Sequence, residues 1–380
     1  MSWSSFSADL DAVISRHRQD ACRDDLMHAL RFSWLGRALA LAGYLLASWH
    51  LNPLSPLLLV IAQMGRWGLA HQILHRSYDR LPGCPRSLNS RTFARGWYRY
   101  WDWCDWIIPA AWQHEHNVHH VHTGGPQDPD VVEANVEFLR AAPYSSLRKV
   151  AVALMIMTTW RLSYYAPSTF IQLRRAEKGL PPTTYTITGL FMFAGVFNPL
   201  SQEGRDFWRR CILPYACLRF VVIPFAALPF GVAATTNVFL TALAAELLLN
   251  FYSWALIASS HTGSDVFRFD YQPKTRAEWY VHQLLGTVNY SRANSFVSWT
   301  QAWVNYQIEH HLCPNLPLLT VEKMSRDVER VCAAYGVRYL SEPLSVRFIN
   351  MFGVVIGRTS MPWVRGPIAC LSAATLHHKT

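Results

Sequence analysis

Charged residues are few in this chain. Only 16% of its 380 residues are Asp, Glu, Lys or Arg, against about 25% in an ordinary soluble domain. A fully solvated surface is therefore not expected. Cysteine pairs are missing too. The eight cysteines (Cys22, Cys84, Cys104, Cys211, Cys217, Cys313, Cys332 and Cys370) are scattered, and none forms C-x-x-C. Zinc ribbons and iron–sulfur clusters lose their support, and reduced structural thiols are expected. Residues 1–28 are polar and mixed in charge, unlike a cleavable signal peptide. There is no internal repeat, low-complexity tract or long linker. The net charge of +10 does not gather into a stripe with RNA- or DNA-binding motifs, so nucleic acid is not an expected partner.

Apolar residues, at 51%, and tryptophan, at 16 copies, are abundant. Tryptophan favours membrane–water interfaces. The mean hydropathy of +0.06 is too low for a mostly transmembrane chain, so a few spans with a large polar part are expected. A helical span takes about 20 apolar residues. Four stretches come near that: 32–49 (with Arg37 near its start), 54–70, 212–232 and 238–260. They read as two hairpins. The connections 50–53 and 233–237 carry no Lys or Arg, whereas Arg16, Arg18, Arg23, Arg31, Arg76, Arg80, Arg205, Arg209 and Arg210 flank the other ends. Basic flanks mark the cytosolic side. The expected fold is all-α and integral to the membrane, with four transmembrane helices, a cytosolic helical cap and both termini cytosolic. Residues 1–31 are expected as a cytosolic N-terminal segment, 32–338 as the membrane domain and 339–380 as a cytosolic tail. His377 and His378, near the end of that tail, suggest no chemistry. The apolar run 150–165, with Trp160 and Arg161, reads as an interfacial amphipathic helix. The aromatic stretch Trp97 to Trp106 also reads as interfacial.

Histidine is clustered in three places: His71 with His75; His116, His119 and His120; and His310 with His311, preceded by Gln307. Residues at i, i+3 and i+4 share one helix face, so each cluster can point one way. His261, at the cytosolic end of the fourth run, makes eight histidines. Imidazole suits iron, zinc and copper. Two octahedral irons sharing a site use about that many protein ligands, whereas one catalytic zinc needs three. Gln307 can add an amide oxygen, directly or through water. Crowded imidazoles are costly unless protonated, solvated or metal-bound, and such clusters read as metal sites. A zinc protease is excluded by its own motif: after His114-Glu115 the fifth position is Val118, not histidine. A metal receptor or transporter would carry ionisable groups deep in its spans. Here the spans are almost bare of charge, with Arg37, Arg66, Arg219 and Glu246 as the exceptions.

The order H-x-x-x-H, H-x-x-H-H, Q-x-x-H-H resembles the membrane fatty-acid desaturases. The third box is similar to that of the front-end and linoleoyl-CoA-type branch, where Gln replaces the first His. The wider strings agree: Trp112 to His122, Asp128-Pro129-Asp130-Val131, and Asn305 to Pro314. The resemblance covers roughly residues 51–317. It implies a di-iron centre with dioxygen as co-substrate, four spans and cytosolic histidines. The metal ligands it implies are His71, His75, His116, His119, His120, His261, His310 and His311, with Gln307 beside them. It implies a double bond placed in a fatty acyl chain, or an alcohol if oxygen returns to carbon instead. Many front-end members carry a His-Pro-Gly-Gly haem motif that this sequence lacks, so electrons are expected from a separate ferredoxin- or cytochrome-type donor. Membrane lipid is the other expected partner.

Some residues keep two readings. Asp128 and Asp130 either accept the free ring N–H of a second-box histidine or cap a turn. His122 and His282 read as outer hydrogen-bonding or structural groups, and His114 as solvated or structural. Ala302-Trp303 stands where relatives tend to have Gly-Gly. Trp303 either narrows a substrate tunnel or packs between helices.

Overall fold

A computed structural model describes residues 2–181 and 194–367. The expected tail is thus described to residue 367, and His377, His378 and Cys370 lie outside the described residues. Helix α1 (Trp3–Asp20) starts where the Ser2 hydroxyl accepts the Ser5 N–H. The chain turns through Ala21 and Cys22 into α2 (Arg23–Trp49). There the Asp25 carboxylate accepts the Cys22 N–H at 2.9 Å, satisfying a donor that a helix start leaves free. The chain turns back through Leu51-Asn52-Pro53 into α3 (Leu54–Leu74), which packs along α2.

Between the two hairpins lie α4 (Pro109–His122) and the pair α5 (Ser146–Trp160) and α6 (Ala166–Glu177), joined by a widened turn at Arg161–Tyr165. The second hairpin is α7 (Gln202–Phe230) and α8 (Val232–His261). Both helices are long and apolar enough to cross a membrane. At 1.5 Å per residue a 30-residue helix is ~45 Å long, beyond the ~30 Å of a bilayer's hydrocarbon core. His261, at the end of α8, therefore projects past the apolar layer whenever the helix middle lies within it.

Residues 233–237, expected as a loop, are helical. Gly231 alone, at φ 105°, makes the break, and nothing in the Ala-Ala-Thr-Thr-Asn sequence after it opposes a helix. Widened five-residue turns occur at Arg161–Tyr165, Trp208–Ile212 and Leu218–Val222. Each lies two residues before a proline: Pro167, Pro214 and Pro224. A proline inside a helix removes one N–H and clashes with the carbonyl four residues back, and a wider turn absorbs both.

The 150–165 run does not lie apart from the bundle. It packs on α8 through Ala153, Met157, Trp160 and Arg161, leaving Leu154 and Met155 exposed. Arg161 is buried because Asp105 and Glu246 neutralise it. In the aromatic stretch, Trp97, Tyr98, Tyr100 and Trp101 are exposed while Trp103 and Trp106 are buried.

The cap is completed by α9 (Arg276–Gly286), α10 (Gln307–Leu312), α11 (Leu318–Ala334) and α12 (Leu344–Val355). Two short parallel pairings tie in the C-terminal part. Strand β1 (Arg268–Phe269) pairs with β4 (Trp363–Val364), and β2 (Asn289–Tyr290) with β3 (Ser341–Glu342). Helix α1 packs on α11, and α12 packs on α8. The segment before α10, a short helix at Ser295–Thr300 and the turn after it, presses against α3, whose Gly65 and Gly68 leave it room. A Cβ on Gly65 would lie 2.1 Å from the Trp299 ring, and one on Gly68 would lie 2.6 Å from Ala302 Cα. This contact sets α10 against the end of α3.

Candidate metal centre

Four elements converge at one end of the bundle. The last turn of α3 and its cap bring His71 and His75. Helix α4 brings His116, His119 and His120, while α8 ends on His261. Helix α10, only six residues long, brings Gln307, His310 and His311. All nine side chains gather there, and His261 sits on the same side as the others. The His261 ring lies 4.7 Å from that of His119 and 4.8 Å from that of His311.

The nine fall into two adjacent groups. His71, His75, His116, His120 and His310 each place a ring nitrogen within 4.8 Å of the others, and so do His119, His261 and His311. The Gln307 side-chain amide joins the second group, 2.8 Å from His261 Nε2. In the first group, Nε2 of His116 is 3.0 Å from Nε2 of His71 and of His120, and His120 Nε2 is 3.0 Å from His310 Nε2. Nitrogens bound at right angles to one ion with bonds of ~2.1 Å sit about 3 Å apart. Nε2 of His75 and of His311 are buried with no hydrogen-bond partner among the described residues. A buried nitrogen lone pair without a donor is costly, and a metal ion satisfies it. The donor set therefore fits metal.

Electrostatics agrees. Burial pushes His116, His120, His310 and His311 well below the usual imidazole pKa, and neighbouring histidines add to the effect. They are held neutral, the form that binds metal. His119 differs. Burial lowers its pKa, but the Asp128 and Asp130 carboxylates outweigh burial and raise it. Burial also lifts Asp130 to about 6, against the pull of His119.

The groups behind the ring are well defined. Asp128 Oδ1 accepts from His119 Nδ1 at 2.7 Å, and the same carboxylate accepts the N–H of Gly124 and Asp130. Asp128 thus does both of the things weighed for it, while Asp130 lines the cavity described below. Gln283 Oε1 lies 2.9 Å from His311 Nδ1 and accepts from the Thr123 hydroxyl at 2.9 Å. Beneath α10, Glu309 is fully buried. It accepts from Asn289 Nδ2 and from the Tyr339 hydroxyl, both at 2.9 Å. Burial raises Glu309 to about 7, although both hydrogen bonds oppose the shift.

Sequence reading missed Gln283, Asn289 and Tyr339. Gln283 had a weak signal beside His282, and Tyr339 had none. His122 pairs with Gln272 at 2.8 Å, and His282 stacks on Phe269 at 3.6 Å. Neither they nor His114 belong to the two groups. Trp303 packs against His28 and Phe32 and does not line the cavity beside the histidines.

That cavity, about 70 Å³, touches His71, His116, His119 and His261. Its other walls are mainly aromatic and aliphatic: Trp67, Trp160, Trp254, Ile257 and Val304.

The comparisons with known proteins point the same way. The family model described as fatty acid desaturase matches residues 47–343. The Delta(8)-fatty-acid desaturase 1 of Arabidopsis thaliana is 26% identical over 254 residues, 62% of this chain and 49% of that protein. The NADPH-dependent stearoyl-CoA 9-desaturase of Mycobacterium tuberculosis is 23% identical over 353 residues, 90% of this chain and 76% of its own. The sn-1 linoleoyl-lipid 6-desaturase of Synechocystis is 32% identical over 66 residues, 17% of this chain and 18% of that protein. The chain thus spans about half the length of the plant relative and about three quarters of the mycobacterial one. With the matched region running from the end of α2 through β3 and holding every residue of the two donor groups, this chain belongs to the fatty acid desaturase family.

Proposed function

We propose that the chain is an oxygen-dependent oxidoreductase that places a double bond in a fatty acyl chain, using two irons. The observation that carries the reading is the pair of buried imidazole groups along one wall of an apolar cavity. His71, His75, His116, His120 and His310 would hold one iron. His119, His261 and His311 would hold the other, with Gln307 beside them directly or through water. Bound iron, with dioxygen and two external electrons, supplies the oxidising power to remove hydrogen from an unactivated C–H bond.

The chain's own residues do the rest. Trp67, Trp160, Trp254 and Ile257 hold the acyl chain against the histidines and keep water out. Asp128 holds the Nδ1 proton of His119, leaving Nε2 free to ligate. Gln283 orients His311 in the same way.

In this reading α2, α3, α7 and α8 all cross the bilayer, with the termini and the metal centre on the cytosolic face. The Gln-first third box supports placement in the front-end branch. Electrons come from a separate ferredoxin- or cytochrome-type donor, and the acyl group arrives as a coenzyme A ester, an acyl carrier protein ester or a membrane lipid.

The test is expression in a host of known lipid profile, followed by mass spectrometry of its fatty acids. A new product lacking two hydrogens supports the reading, provided that His119→Ala and His310→Ala abolish it while still inserting. A product that gains one oxygen makes the enzyme a hydroxylase. Full turnover by either variant sinks the ligand assignment.

A further inference from the structure

A second cavity, of about 620 Å³, is lined by Arg37 on α2, Arg66 on α3 and Arg219 on α7. Among the described residues, none of the three is hydrogen-bonded to a carboxylate. Arg66 donates to the carbonyls of Trp101 and Asp102. Arg37 donates to the carbonyl and hydroxyl of Ser33. Arg219 Nη1 donates to the Tyr44 hydroxyl at 2.9 Å, and its Nε stands 4.0 Å from Glu246. Glu246 is already engaged by Trp106, Tyr215 and Arg161. Arg219 is only 7% exposed, yet its Nη2 has no hydrogen-bond partner among the described residues, and neither has the buried Nε of Arg37. Buried guanidinium on an apolar helix surface is costly without an anion.

The surroundings say which anion fits. The guanidinium of Arg37 lies over the rings of Trp34 and Trp101, at 5.3 and 5.0 Å, and both rings are exposed. Exposed tryptophans mark the level of the bilayer interface. Leu41, Leu59 and Ile223 give the same cavity apolar walls. No residue is shared with the cavity beside the histidines. A small cavity walled by Arg161 lies between them, meeting this one at Gln63 and the other at Trp67.

We propose that this groove holds an acidic membrane phospholipid. Its phosphate sits among Arg37, Arg66 and Arg219, and one acyl chain lies along Leu41, Leu59 and Ile223. Phosphate suits three guanidiniums because it offers several acceptor oxygens. The site is separate from the acyl-binding cavity, but it rests on the placement of α2, α3 and α7 in the bilayer.

The test uses the iron-loaded full chain in neutral detergent, with native mass spectrometry after addition of dioleoylphosphatidylglycerol or dioleoylphosphatidylcholine. The expected result is retention of the acidic lipid on the order of tenfold over the neutral one, lost in Arg37→Gln and in Arg219→Gln. Leu41→Trp fills the groove without removing a charge and is expected to cause the same loss. Iron content reports that each variant is folded. Equal binding of the two lipids, or undiminished retention in both Arg37→Gln and Leu41→Trp, overturns the proposal. Displacement of the lipid by equimolar oleate also overturns it, assigning the groove to the acyl substrate. Resistance of the protein to carbonate extraction is measured in parallel. Release would overturn the bilayer placement and the lipid site together, whereas resistance with equal lipid binding overturns the lipid site alone.

Discussion

Asp128 accepts a hydrogen bond from Nδ1 of His119 across 2.7 Å, and both side chains are 2% exposed. The bond fixes the ring so that Nε2 faces His261 and His311. Asp128→Asn keeps the size but removes the charge, and an amide can turn its NH₂ toward the ring. Loss of such a partner typically costs 10–100-fold in metal affinity. The expected outcome is iron lost during dialysis against a mild chelator, at concentrations the parent withstands. Iron retention equal to the parent would refute the role.

Gln283 makes a second, independent case. It touches His311 Nδ1 and Thr123 and lies on α9, outside every histidine box. Gln283→Leu is expected to lower iron occupancy and kcat together while the KM for the acyl substrate stays close to the parent's. A change confined to KM would mean that Gln283 serves the substrate instead.

Val132 lines the apolar cavity beside the histidines. Val132→Trp is expected to block acyl turnover by occupying that space, with iron content unchanged. Overpacking of this kind costs about 1–3 kcal/mol, so the protein should remain folded. Undiminished turnover of every chain length would show that the cavity does not hold the acyl group.

Ala302 and Trp303 both adopt left-handed backbone, at φ 53° and 57°. A non-glycine residue pays roughly 1–2 kcal/mol for that conformation. Ala302→Gly is expected to stabilise the protein by about 1 kcal/mol, since little packing is lost. Trp303→Gly relieves the same strain but removes a buried ring packed on Phe32 and His28, and deleting such a ring costs about 3–5 kcal/mol. The two neighbouring changes should therefore shift the unfolding midpoint in opposite directions. Equal shifts would contradict this account.

The donor groups were legible because ligation by a helix needs side chains on one face, and i, i+3, i+4 spacing is a local property. His261 was legible for a different reason: it ends an apolar run whose basic flanks match those of the first hairpin, and the resemblance implies it as a ligand. The partners behind the rings were mostly hidden. Gln283 and Asn289 are ordinary polar residues until α9 and β2 fold against α10. Trp303 left both readings open because only the packed loop shows which way its ring goes. The start of α8 was misplaced because the apolar runs were taken to stop at 232 and resume at 238, while the backbone breaks at Gly231. Arg161 offered no sign of its carboxylate partners, which lie 56 and 85 positions away.

Tyr339 closes on Glu309, and Arg347 on α12 pairs with Asp265 at 2.6 Å, just past the end of α8. Both come after every histidine of the cluster in chain order. While the ribosome is still making this stretch, the third box has neither its tyrosine prop nor the anchoring of α12. The donors of the site thus precede their own supports along the chain, and the third box is held from behind by residues made after it.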